Sequence, residues 1–183
     1  MSSVWRPTGR RWWVTGLSIQ PDGRRLTLVD GAYAWARDVG LTTTLLPAGG
    51  FPMVDPGKPW ELYWDVVSHA EAGGPVRLFA VDRSAHTLDV FENGQRLRRI
   101  AIDGIPTRVA ADEDGLLYVL TTEGIVWKMR PDGTTVAAWD AGAYSSSGVA
   151  ITDLTVDGAG RVYTLDRGGN TVRVWERDPS AKP

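Results

Sequence analysis

A fourfold internal repeat limits what this chain can become more than any single motif does. An apolar residue followed by Asp or Thr closes a strand-like segment four times: Leu28-Val29-Asp30, Ala80-Val81-Asp82, Val119-Leu120-Thr121 and Thr164-Leu165-Asp166. Measured at the residue before the Asp or Thr, the copies stand 52, 39 and 45 residues apart. The last copy is the plainest. Residues 152–156, 161–165 and 171–175 read as strands, divided by Asp157-Gly158-Ala159-Gly160 and by Gly168-Gly169-Asn170. Those turn residues tolerate a positive φ, so two tight reversals carry little strain and the segment predicts an antiparallel meander.

The other copies follow the same order. Each third strand holds a small or branched apolar residue and a bulky one three positions later: Ala32 with Trp35, Leu88 with Phe91, Val126 with Met129, Val172 with Trp175. First strands are expected at 13–20, 62–68 and 107–111, and outer fourth strands at 96–102, 134–139 and, in the first copy, 41–46. Four strands in roughly 40 to 50 residues is the size of a propeller blade. Apolar residues fall on both faces of the inner strands, as in Leu116-Leu117-Tyr118-Val119-Leu120. A lone blade cannot bury two faces, whereas blades stacked about an axis bury them against one another.

The expected fold is therefore all-β, a single β-propeller domain over residues 1–183 with blades at about 12–46, 60–103, 105–140 and 150–176. The fourth copy lacks an outer strand, and residues 2–6, through Val4-Trp5-Arg6, are placed there as a closure strand that removes the sheet edge. The alternative is a partial propeller completed by oligomerisation.

The segments VYTLDRGGNTVRVWE, LFAVDRSAHTLDVFENG and LLYVLTTEGIVWKMRPDG resemble the NHL-type repeat: a strand ending in Asp, a Gly/Asn turn, then a Val-x-x-aromatic strand. The likeness covers most of residues 100–176 and, more loosely, 12–99. It implies a β-propeller. NHL-like propellers commonly have six blades, and four are visible here. That repeat family includes protein-binding, RNA-binding and enzymatic members, with function in grafted sites. Bacterial members also occur in phage-tail-like particles and surface complexes, which implies a component of a larger assembly.

Composition narrows the partners. Twenty Lys and Arg against 22 Asp and Glu leave a net charge of −2, with no general attraction to nucleic acid or an anionic membrane. The absence of cysteine removes disulfides, thiolate nucleophiles and Cys-rich zinc sites. The first sixteen residues hold no apolar run of signal-peptide length, and no stretch approaches a membrane span, so a soluble chain is expected, cytoplasmic by default. Nine Trp exceed what a core of this size requires, and some are expected on a surface that another molecule covers.

No set of residues reads as a catalytic constellation. His69 and His86, the two histidines, are placed near enough in one blade to meet, with Glu71 as a third ligand or base, yet His86 takes a turn position filled by Gly or Asn elsewhere. Asp112-Glu113-Asp114-Gly115 superficially suggests calcium but lacks the alternating oxygen ligands and terminal Glu of a dedicated loop. Propeller lactonases gather Asn, Glu and Asp around a metal, whereas Asn93 and Asn170 both fall in turns here. Ser145-Ser146-Ser147-Gly148 reads as a connection between blades. Arg96-Leu97-Arg98-Arg99 reads as a solvated edge that deters strand addition.

The long connections are the better candidates. Residues 46–60 hold four Pro and three Gly, which exclude regular structure, together with Phe51, Met53, Val54 and Trp60, so the loop either folds back over the propeller face or inserts into a partner. Residues 141–150, with Tyr144, form a second such connection. The expected function is a non-catalytic binding or scaffold module that contacts a protein partner through Phe51, Met53, Trp60 and Tyr144. No cofactor and no metal are expected, and self-association stays open. The rival is a metal-dependent hydrolase or lyase acting at the propeller channel.

Overall fold

A computed structural model describes residues 63–70, 73–93, 95–142 and 151–176 with their side chains, and the backbone of residues 16–19, 25–29, 33–38 and 51–52. The strands form four antiparallel sheets, each a meander in chain order. The first holds β1 (Gly16–Ile19), β2 (Arg25–Val29), β3 (Tyr33–Asp38) and β4 (Phe51–Pro52). The second holds β5 (Tyr63–His69), β6 (Arg77–Asp82), β7 (Thr87–Glu92) and β8 (Gln95–Ala101). The third holds β9 (Pro106–Ala111), β10 (Leu117–Thr121), β11 (Ile125–Met129) and β12 (Thr135–Asp140), and the fourth β13 (Ile151–Val156), β14 (Val162–Asp166) and β15 (Thr171–Trp175). First strands are innermost: β1 lies against β5, β5 against β9 and β9 against β13. The architecture is a propeller of four blades, with no helix among the described residues.

Most expected strands are found within a residue or two. The outer strand of blade one differs. Phe51 pairs with Ala34 and Pro52 with Tyr33, so β4 lies inside the stretch expected to be irregular, and 41–46 falls outside the described residues. Pro52 has no N–H to donate, which suits an edge position and keeps the strand short. The closure strand at 2–6 also lies outside the described residues.

The Asp that ends the second strand has a local purpose. Asp82 Oδ1 accepts the N–H groups of Ser84 and Ala85, both at 2.9 Å, and Asp166 Oδ1 accepts those of Gly168 and Gly169, both at 3.0 Å. Each carboxylate folds its own hairpin. Four residues on, His86 (φ 56°) and Asn170 (φ 48°) hold the left-handed position, which Gly124 (φ 82°) fills in blade three. The backbone turn, rather than chemistry, dictates His86.

Between blades lie the cores. Phe79, Val81, Leu88 and Val90 of blade two meet Val109, Leu117, Val119 and Met129 of blade three. Tyr118, Leu120 and Val126, on the opposite face of blade three, meet Leu154 and Val162 of blade four. Burying one side chain of this size contributes about 1.5–3 kcal/mol, so each blade draws its stability from the next.

Candidate functional site

Three inner strands break register at the same point. Tyr63 pairs with Asp82 and Asp65 with Val81; Pro106 pairs with Thr121 and Arg108 with Leu120; Ile151 pairs with Asp166 and Asp153 with Leu165. One residue is left over in each blade: Trp64, Thr107 and Thr152. Such bulges twist the strand and re-aim the side chains beside them. In blades three and four the extra residue repairs the ladder it interrupts, Thr107 Oγ1 donating to the Leu120 carbonyl at 3.1 Å and Thr152 Oγ1 to the Leu165 carbonyl at 3.4 Å.

Beyond the bulge, Asp65, Arg108 and Asp153 occupy one level on successive inner strands. Arg108 Nε donates to Asp153 Oδ1 at 3.2 Å, and its Nη1 to the Thr107 carbonyl at 2.8 Å. Asp65 Oδ2 accepts the Val109 N–H at 3.0 Å, tying blade two to blade three. Burial pushes the Asp65 carboxyl up to about 6, against the bonds from Val109 and Val66 and the Arg108 charge. An acid of that strength changes protonation close to neutral pH, with a guanidinium beside it. Nearby, bulged Trp64 is 38% exposed and the Arg83 guanidinium sits 4.6 Å from its ring centre. At that acidity Asp65 can give or take a proton.

Several residues singled out in the sequence are placed elsewhere. His69 ends β5 opposite Arg77, whereas His86 follows the far end of β6, so the two histidines lie at opposite ends of blade two and do not meet. Strand length explains this: six residues of β6 span roughly 20 Å. His69 instead packs against Gly115 of blade three, where an added Cβ would fall 2.5 Å from its Nε2, and borders a shallow cleft with Pro75, Arg77, Phe79 and Pro131. Among the described residues, no three of His, Asp and Glu group as metal ligands.

The acidic turn is turn chemistry: Asp112 Oδ1 accepts the Leu116 N–H at 2.8 Å and Oδ2 the Tyr118 hydroxyl at 2.9 Å. The arginine run is more than a solvated edge. Buried Asp89 accepts Arg99 Nη2 at 2.9 Å, Arg99 Nε at 3.0 Å and Arg96 Nη1 at 3.2 Å, together with the Tyr63 hydroxyl at 2.8 Å and Thr87 Oγ1 at 2.9 Å. Arg99 Nη2 also lies 3.8 Å from buried Asp82, and Arg98 reaches the Asp132 carbonyl at 3.3 Å. Of the four partner-binding candidates, Phe51 stands on β4; Met53, Trp60 and Tyr144 lie outside the described residues, as do residues 145–148.

Sequence reasoning missed the row at Asp65, Arg108 and Asp153. The available signal was an ionisable residue just before an apolar one in each of three first strands, Asp65-Val66, Arg108-Val109 and Asp153-Leu154, with Arg108 and Asp153 each twelve residues before the repeat mark at Leu120 and Leu165.

No family model matches the sequence, and no curated protein matches it. Solved structures do match in shape. A catalytically inactive virginiamycin B lyase from Staphylococcus aureus with quinupristin gives a TM-score of 0.65 at 9% identity, over 97% of this chain and 59% of that one. Raptor from Chaetomium thermophilum gives 0.65 at 18% identity, over 89% and 15%. The glutaminyl cyclase of Myxococcus xanthus gives 0.58 at 15% identity, over 87% and 71%. This chain thus spans 59% of the lyase's length. At these identities the likeness establishes the β-propeller fold alone.

Proposed function

We propose that this chain is an NHL-type propeller module that binds a protein partner without catalysis and serves in a larger bacterial or phage-tail-like assembly. One observation carries the reading: the repeat's most conspicuous carboxylates are occupied by their own backbone. Asp82, Asp112, Asp157 and Asp166 each accept N–H groups of the turn they open, which leaves recognition to the connections. Met53, Trp60 and Tyr144 in those connections, with Phe51 on the short edge strand β4, are the anchors, because bulky apolar side chains dominate binding energy when a partner desolvates them. Immobilised chain is expected to retain a specific partner from an extract of its own host. Phe51→Ala with Trp60→Ala should weaken that capture tenfold or more while the melting temperature stays within about 2 °C; a collapse of both together assigns these residues to the core.

A second reading has its own support. The Asp65 carboxyl beside Arg108 has the acidity of a proton-transfer group, and two of the similar structures are a lyase and a cyclase. A hydrolase or lyase acting at the channel would use Asp65 as the group that gives or takes the proton. If a turnover is found, its loss in Asp65→Asn with an unchanged melt favours this reading over the module.

A further inference from the structure

The blades share a register, which makes their faces comparable position by position. On the trailing face of blade two, Val81 opposes Leu88 and Phe79 opposes Val90. In blade three, Leu120 opposes Val126 and Tyr118 opposes Lys128; in blade four, Leu165 opposes Val172 and Tyr163 opposes Val174. The apolar residues of the first two faces are at most 1% exposed. On blade four, Leu165 is 41%, Val172 62% and Val174 50% exposed. This is the same apolar face without its cover.

What covers such a face is known from the two covered examples. The leading face of blade three, where Val119 pairs with both Val109 and Trp127, seats on blade two. Blade one has the matching register: Leu17 opposes Leu28, and Leu28 opposes Trp35. Leu17, Leu28 and Trp35 therefore hold the places of Val109, Val119 and Trp127. The leading faces of blades two, three and four turn towards the blade before each of them. For blade one, no described blade plays that part, because β1 packs on β5 and β2 on β5, with no corresponding packing of β13 on β1.

We infer that the trailing face of blade four receives the leading face of blade one from a second copy of the chain. The contact continues the two blade-to-blade interfaces already present, so it needs no new chemistry. It is head to tail, and two copies that join at both ends form a closed ring of eight blades; a contact that did not close would run on as a filament. The inference stands apart from the proposed module and from the channel reading, since neither uses this face.

Sedimentation of the purified chain tests it. The 20.0 kDa chain is expected to run as a dimer of about 40 kDa at micromolar concentration. Val172→Lys with Val174→Lys should return it to one copy with an unchanged circular dichroism spectrum, because both positions are open to solvent in the single chain. Val136→Lys, on exposed outer strand β12 of blade three, should leave the dimer intact. The chain has no cysteine, so mixed Val172→Cys and Leu17→Cys proteins should form a disulfide between the two variants. A monomer at 100 micromolar overturns the inference. So does a dimer indifferent to the double lysine variant, or a preference of Val172→Cys for pairing with itself, which would mean a face-to-face contact.

Discussion

In blade three the Tyr118 hydroxyl donates to Asp112, six residues earlier, at 2.9 Å; in blade four the Tyr163 hydroxyl donates to Asp157 with the same spacing and distance. The hairpins share one design, and their surroundings differ. Tyr118 is sealed between blades, where burial and the Asp112 charge push its hydroxyl far above the ordinary range. Asp157 is half-buried, and although desolvation is the largest single influence on it and raises it, the bonds from Arg161, Tyr163 and Ala159 together hold its carboxyl down at about 2. A repeat thus reproduces local chemistry faithfully, whereas burial is set by whether another blade follows.

The polar clamp offers the most severe way to break that comparison. Asp89 in blade two and Arg173 in blade four occupy the same place, opposite Ala80 and Thr164. Asp89→Ala leaves Arg96, Arg99 and the Tyr63 hydroxyl around an empty centre and should destabilise the chain by about 3–5 kcal/mol in denaturant titration. Arg173 bonds the Ala141 carbonyl at 3.0 Å and lies 3.5 Å from Asp166 at the surface, so Arg173→Ala should cost no more than about 1 kcal/mol. Equal losses would mean that the two blades are not distinguished by burial.

The apolar faces give a somewhat smaller contrast. Leu88→Ala should cost about 2–5 kcal/mol through lost transfer energy and the cavity it leaves. Val172→Ala, at the equivalent place, should stay within about 0.5 kcal/mol for the single chain. A large effect at Val172, growing with protein concentration, would show the face covered by another copy.

The smallest expected effect sharpens the comparison along the inner strands. Asp65 and Asp153 share one register position, but Asp65 is half-buried and Asp153 exposed. The folded chain holds the Asp65 proton more tightly than the unfolded chain does. Stability from this group is therefore fully present below about 4 and is lost as the pH rises through about 6. Thermal melts of Asp65→Asn should lack that decline between pH 5 and 7, and Asp153→Asn should retain it. Parallel curves for Asp65→Asn and the parent would place the titration on another group.

Much of this was readable before any coordinates. The Asp-to-turn segments predicted the second-to-third hairpins because a carboxylate two residues from a backbone N–H needs nothing distant to bond it. His86 was legible as a turn residue for the same reason, since its sister positions hold Gly and Asn. The supposed meeting of His69 and His86 failed because proximity in sequence ignored the length of the strand between them. Outer strand β4 escaped notice because Pro and Gly around Phe51 mask a pairing that only β3 supplies. Arg96 and Arg99 looked like a solvated edge because their acceptor, Asp89, sits on the neighbouring strand.

The sequence by itself determined the meanders, their turns and their number, because those depend on residues a few positions apart: alternation of side chains, carboxylates beside amides, and residues that accept a positive φ. The tertiary structure alone decided which apolar faces are buried, where Asp65, Arg108 and Asp153 come level, and that the face of blade four stands open. Those depend on which sheet lies alongside another, and a face that is apolar in every copy cannot itself record whether a neighbour has come to cover it.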